Sequence, residues 1–127
     1  MNAREYLGRI KHLNKEISTN KAMLELLEES LNTNNDADVL KEIKRLKQEI
    51  KNKLIYIFEI KKNIIKKIYN VNDSFLRTIL LNHYINELTL KDIAKVTNFS
   101  YDYIKHLHIK SIIAFEESNK DELSNYK

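Results

Sequence analysis

The stretch 88–115, LTLKDIAKVTNFSYDYIKHLHIKSIIAF, decides how this chain is read. It spaces two helices around a tight turn, the second longer than the first. Thr89 is placed to cap the first, with Asp92 three residues on, and Ser100 to cap the second. Ile93, Ala94, Phe99, Ile104 and Leu107 fall where such a pair needs a small inner core. Ala94 is small where the helices should cross closely. Asn98 falls in the turn, where a left-handed backbone is wanted and Asn is the best substitute for Gly. This spacing turns Tyr101, Asp102, Lys105, His106 and Lys110 outward on the second helix. A helix presented in this way fits the major groove of DNA.

The rest of the chain supports an all-α fold. Its 127 residues suit about one domain, 43% are hydrophobic, and there is no Pro and a single Gly, Gly8. So little punctuation implies helices with short connections. The chain has no Cys, which excludes disulfides and thiolate metal sites and suits a cytoplasmic protein. The charged, amphipathic start MNAREYLGRI is unlike a signal peptide, and the apolar run 54–60 is too short to span a bilayer. His106 and His108 are two apart on a helix and face different ways, so no metal site is expected. One Gly cannot build a phosphate loop, and no nucleophile or carboxylate pair is set in an identifiable pocket. Neither enzymatic activity nor a cofactor is expected.

Charge is unevenly spread. The net charge is +4 with a pI near 9.1. Residues 32–72 hold ten Lys or Arg against five acids, whereas residues 73–116 hold five of each. Phosphate contacts dominate nucleic-acid affinity. A neutral reading unit should therefore bind weakly alone, or borrow charge from a dimer or a larger assembly.

Residues 1–69 read as a long antiparallel helical hairpin. Asn2 and Glu5 make a capping pair. Tyr6, Ile10, Leu13, Ile17, Asn20, Leu24, Leu27 and Leu31 then recur in steps of four and three, the seam of a coiled coil. TNNDAD stops that helix, and Asp36 or Asp38 can cap the next. Its own seam is Val39, Ile43, Leu46, Ile50, Lys53, Ile57, Ile60 and Ile64. Folded about residue 35, the two seams pair layer by layer, from Leu31 with Val39 to Tyr6 with Ile64, in arms about 40 Å long. The polar members Asn20 and Lys53 fall in adjacent layers, either as a notch that fixes register or as side chains reaching solvent. Leu40, Leu54, Ile55, Phe58 and Ile65 form a further apolar surface. Full burial of each is worth about 1.5–3 kcal/mol, so this surface should meet either the C-terminal part or a second copy, and a homodimer through this region is the expectation.

NVNDS (70–74) breaks the pattern, with Asn72 or Asp73 capping a helix carrying Leu76, Ile79, Leu80, Tyr84 and Ile85. With the two helices above, this makes a three-helix unit over residues 73–116. The polar tail, 117–127, should fray.

The run LRTILLNHYINELTLKDIAKVTNFSYDYIKHLHIKSIIAFEES, from Leu76, resembles region 4 of sigma-70-type transcription initiation factors. It resembles more closely small phage and prophage regulators that carry this domain after a helical hairpin, among them the ArpU and RinA late-gene type. The resemblance covers about residues 73–118 well, and the N-terminal MNAREYLGRIKHLNKEI extends it. It implies promoter recognition by a helix-turn-helix, with double-stranded DNA as partner and RNA polymerase as a second contact. The side chains it marks are Thr89, Lys91, Lys95, Ser100, Tyr101, Asp102, Tyr103, Lys105, His106 and Lys110. The chain departs from the family pattern at Asn82 and His83, where bases are favoured, and at Glu87 and Asn98, where Gly is favoured. It departs also at Thr97, often apolar in the family, and at Asp102, commonly Arg. The alternative function is a protein-interaction module that binds polymerase or another regulator with little DNA binding of its own.

Overall fold

The structure, a computed structural model, describes residues 2–33 and 36–124. The described residues hold seven α-helices, one π-helical turn and no strand, as the composition implied. In chain order the α-helices are α1 (Ala3–Leu7), α2 (Arg9–Leu31), α3 (Ala37–Ile68), α4 (Ser74–Leu80), α5 (Leu90–Thr97), α6 (Tyr101–Ser118) and α7 (Lys120–Leu123). The π-helical turn, Leu81–Ile85, lies between α4 and α5. The chain divides into two compact units, one of Met1–Lys11 with Ile60–Lys127 and one of His12–Glu59.

The second unit consists of parts of α2 and α3. Ile17, Ile50 and Ile57 form its buried cluster, with Leu13 and Leu24 packed against them. These are all seam positions. The polar contacts pair late residues of α2 with early ones of α3, and the reverse. Lys47 Nζ lies 3.9 Å from Glu28, and Lys53 Nζ lies 3.8 Å from Glu16. Asn20, with its amide oriented to satisfy both ends, accepts from Lys53 Nζ at 3.1 Å and donates to Glu16 O at 3.2 Å. Asn20 and Lys53 thus meet in a polar notch, and Lys53 also approaches Glu49 at 3.6 Å. At the start of α3 the cap is Asp36, whose carboxylate accepts from Asp38 N at 2.8 Å.

The first unit is built around α6, whose inner face buries Ile104, Leu107, His108, Ser111, Ile112 and Phe115. Helices α1, α4 and α5 pack against it. Two sequence expectations are corrected here. The first helix was expected to run unbroken from residue 2, but it stops at Leu7 and restarts at Arg9 around Gly8. The short α1 is capped by Asn2, whose side chain accepts from Glu5 N at 2.8 Å. It delivers Tyr6 and Leu7 to the core, and the Tyr6 ring centroid lies 6.1 Å from that of Phe115.

The tail was expected to fray. Instead, over residues 117–124, α6 runs to Ser118, Asn119 is buried, and α7 returns Leu123 to the core; the expectation for 125–127 lies outside the described residues. The reason is Asn119. Its amide nitrogen donates to Lys67 O at 3.1 Å and to Phe115 O at 2.9 Å, and its oxygen accepts from Asn70 at 2.7 Å. A buried amide so fully used fixes the chain direction at the end of α6. Lys67 reinforces the return through Glu122, 3.3 Å away.

Replacing Asn119 with Ala leaves the Lys67 carbonyl and the Asn70 amide without this partner. The expected loss is about 2 kcal/mol of unfolding free energy, read from the midpoint shift in urea denaturation at unchanged slope.

Candidate nucleic-acid interface

The geometry that presents α6 begins in α4. Asp73 caps that helix, accepting from Phe75 N at 2.9 Å and Leu76 N at 3.1 Å. Arg77 donates to Val71 O at 2.6 Å and Asn72 O at 2.9 Å, so this cation serves the linker. The helix then widens into the π-helical turn, where Asn86 N donates to Leu81 O at 3.0 Å. Glu87 follows with φ 57°, and Leu88 N closes back on Asn82 O at 2.9 Å. This is a left-handed helix stop of the kind Gly usually supplies, built here with Glu.

Helix α5 opens on a reciprocal capping box. Asp92 N donates to Thr89 Oγ1 at 3.1 Å, and Thr89 N donates to Asp92 Oδ2 at 3.2 Å. Hydrogen bonding from Thr89, its side chain first and its backbone N–H second, holds the Asp92 carboxyl below its usual pKa. The turn that follows uses Asn98 in the left-handed region, φ 60°. Ser100 then caps α6, accepting from Tyr103 N at 3.1 Å. Ile93, Ala94 and Ile104 form the buried seam of the pair. Phe99, expected in that seam, is 44% exposed. It packs edge-on to Phe75, at 5.5 Å between centroids, and lies 5.1 Å from Tyr103. Position 99 lies past the left-handed residue, outside the helical register that predicts the buried stripe.

Thr89 and Ser100 are therefore helix caps first. Of the other residues singled out by sequence, Lys91, Lys95, Tyr101, Asp102, Tyr103, Lys105, His106 and Lys110 are all exposed. Some of them gather. Lys105 Nζ lies 4.6 Å and Lys91 Nζ 5.5 Å from the centre of the Tyr101 ring. Lys91, Ala94, Lys95, Phe99 and Tyr101 line a shallow open groove between α5 and the start of α6. Asp102 forms an ion pair with Lys105 at 3.1 Å, which offsets one of the few cations of the face. His106 and Lys110 stand apart from this group. The set can hold a phosphate through the lysines and offer Tyr101 and Asp102 to a base edge.

The apolar residues expected to dimerise are likewise on the surface, except for Ile65. Leu40, Leu54, Ile55 and Phe58 are exposed, and Ile65 is half-buried. Lys44, Lys47 and Lys51 lie between Leu40 and Leu54 on α3. The contiguous apolar part is therefore Leu54, Ile55 and Phe58.

Sequence reasoning missed a polar group behind the presented helix. His108, on the inner face of α6, is buried, and its Nε2 lies 2.7 Å from the Tyr84 hydroxyl. With the imidazole neutral, the tautomer sets the direction: Nε2 accepts from the hydroxyl when the ring proton is on Nδ1 and donates to it when the proton is on Nε2. His83 Nδ1 donates to Leu88 O at 2.8 Å, and its ring centroid is 5.0 Å from that of His108. Burial first, then electrostatic repulsion from the nearby His83 and Arg4 side chains, lowers the His108 pKa to about 4. Burial also pushes the Tyr84 hydroxyl above its usual range. The signal was present in the sequence. His108 shares a helical face with Ile104 and Ile112, four residues to either side.

No family model, curated protein or solved structure matches this chain. Among the described residues there is no cluster of three His, Cys, Asp or Glu arranged to hold a metal ion. No helix among them is long and apolar enough to cross a membrane.

Two outcomes follow from the site. Because the folded state resists protonating His108, the unfolded chain takes up the proton first as pH falls. The stability this neutral histidine contributes is complete above about pH 6.5 and is lost as pH drops towards 4. Melting temperature should fall across that window, with a shallower slope in His108→Leu. Asn98→Ala, which keeps a Cβ in the left-handed region but loses the short polar side chain that lets Asn tolerate it, should cost about 1 kcal/mol in denaturant titration.

Proposed function

We propose that this chain is a DNA-binding regulator of transcription, of the small phage or prophage kind its sequence resembles. In this reading α4 to α6 form a sigma region 4-like helix-turn-helix, and the first part of α6, from Ser100 to Lys110, enters the major groove. Lys91 and Lys95 hold the phosphate backbone. Tyr101, Asp102, Lys105 and His106 face the base edges, with Tyr103 beside them. Residues 1–69 form a helical hairpin that pairs two copies through Leu40, Leu54, Ile55, Phe58 and Ile65, so that two weak readers act as one. The basic α3 assists on flanking phosphates. RNA polymerase is a second partner, and the protein works in the cytoplasm without a cofactor.

The observation that carries this reading is the exposure of the outer face of α6, directly after a capped, left-handed turn. The inner face is spent on packing, and the outer face has no such duty. A second reading is favoured by the ion pair between Asp102 and Lys105. With the local charge already balanced, the same helices suit an interaction module that binds polymerase or another regulator and touches DNA little.

A gel shift against a library of promoter fragments at two salt concentrations separates the readings. DNA binding requires affinity that falls steeply with salt. Lys91→Ala and Lys95→Ala should each weaken binding evenly across sequences and reduce the magnitude of the salt slope by about 1. Asp102→Ala should relax preference at one base pair if the carboxylate reads a base. A negligible, salt-independent response from protein that still captures polymerase would support the interaction module instead.

A further inference from the structure

The outer face of α6 carries two side chains that neither reading uses. Ile109 and Ile113, one turn apart, are 51% and 55% exposed. A single exposed isoleucine needs no explanation, but these two lie at the centre of an ordered charge pattern. Lys105 and His106 sit one turn before them, and Glu116 and Glu117 one turn after, all exposed. Reversed about Ser111, the stripe maps onto itself. Position 105 falls level with 117, position 106 with 116, and Ile109 with Ile113, so the end with Lys105 and His106 meets the end with the two glutamates. At about 100° per residue, Lys105 and Glu116 fall on one flank of the isoleucine line, and His106 and Glu117 on the other. When two helices pack antiparallel about a two-fold axis, like flanks meet.

We propose that the outer face of α6 is a docking surface for the same face of a second copy of this chain, paired antiparallel about Ser111. Ile109 packs on Ile113 of the second copy, Lys105 meets its Glu116, and His106 meets its Glu117. The Lys105 flank is thereby neutralised, and on the other flank the His106 ring can hydrogen-bond the Glu117 carboxylate. A parallel arrangement would instead bring opposite flanks together, setting Lys105 beside His106 and Glu116 against Glu117, and the two carboxylates repel. A wholly acidic or wholly basic partner would match only half of the stripe. The span from Lys105 to Glu117 is about 20 Å, which places the contact below the roughly 1,000 Å² of a stable interface. The pairing is therefore weak and concentration-dependent. It covers Lys105 and His106, so a second copy and a duplex exclude each other. That consequence alone rests on the proposed DNA reading; the pairing does not.

The chain has no cysteine, so Lys110→Cys carries a single nitroxide label. Near the axis, two such labels should lie about 20 Å apart, and labels on Asp102→Cys at least about 27 Å apart, from the axial rise of nine residues on each side. Pulsed dipolar spectroscopy at about 0.5 mM protein reads both distances. Ile113→Glu should abolish both couplings. In sedimentation equilibrium of the unlabelled full chain, Glu116→Lys should weaken α6 pairing about tenfold, and Lys105→Glu with Glu116→Lys should restore it. Circular dichroism verifies that these surface variants stay folded. Absence of coupling at position 110, coupling that survives Ile113→Glu, or a double variant no stronger than Glu116→Lys would overturn the proposal. Association through α3 produces none of the expected α6 distances, so its failure is read separately.

Discussion

Everything in the first unit depends on the burial of one face of α6. Ile104, Leu107, Ile112 and Phe115 repeat at helical spacing and are packed by α1, α4 and α5. Burying each such side chain is worth about 1.5–3 kcal/mol, and the four together outweigh any single polar contact in the unit. Once this face is committed, the rotation of α6 is set, and Asp102, Lys105, Ile109 and Ile113 are turned to solvent by geometry alone. The capping bonds of Thr89 and Ser100 then fix where the helices begin. Asn98 fixes how sharply the chain turns between them.

The inner face is not purely apolar. His108 and Ser111 lie in it, and the Tyr84 hydroxyl satisfies the imidazole at 2.7 Å. The π-helical turn that carries His83 and Tyr84 brings this pair to α6, and His83 in turn holds Leu88 O. A polar link of this kind ties the position of α6 to the loop that launches α5. Shifting α6 would strand two polar groups, the Tyr84 hydroxyl and the His108 imidazole, so the link favours one packing over its neighbours.

Much of this architecture was legible in the sequence, because helical periodicity and capping chemistry are local. Thr89 with Asp92, Ser100, Asn98 and Asp73 all perform the tasks their residue types suit, and the seam residues Ile17, Ile50 and Ile57 are buried together. What was not legible is tertiary. Asn119 looks like an ordinary tail residue until Lys67, Asn70 and Phe115 surround it. Phe99 looks like core until the left-handed turn moves it out of register. Gly8, the single Gly in the chain, marks the break between α1 and α2, a local signal that the apolar periodicity on either side overrides. At the candidate interface, periodicity gave the exposed face, but it could not give the pairing of Asp102 with Lys105, which changes the charge that face offers.

The central claim is that the outer side of α6 and the lysines of α5 meet a DNA duplex. Amide chemical-shift mapping during titration with a promoter duplex tests it most directly. The account predicts shifts concentrated at Lys91, Lys95, Tyr101, Asp102, Lys105, His106 and Lys110, with the buried Ile104 and Phe115 little changed. Saturating duplex that leaves those seven amides unmoved would contradict it.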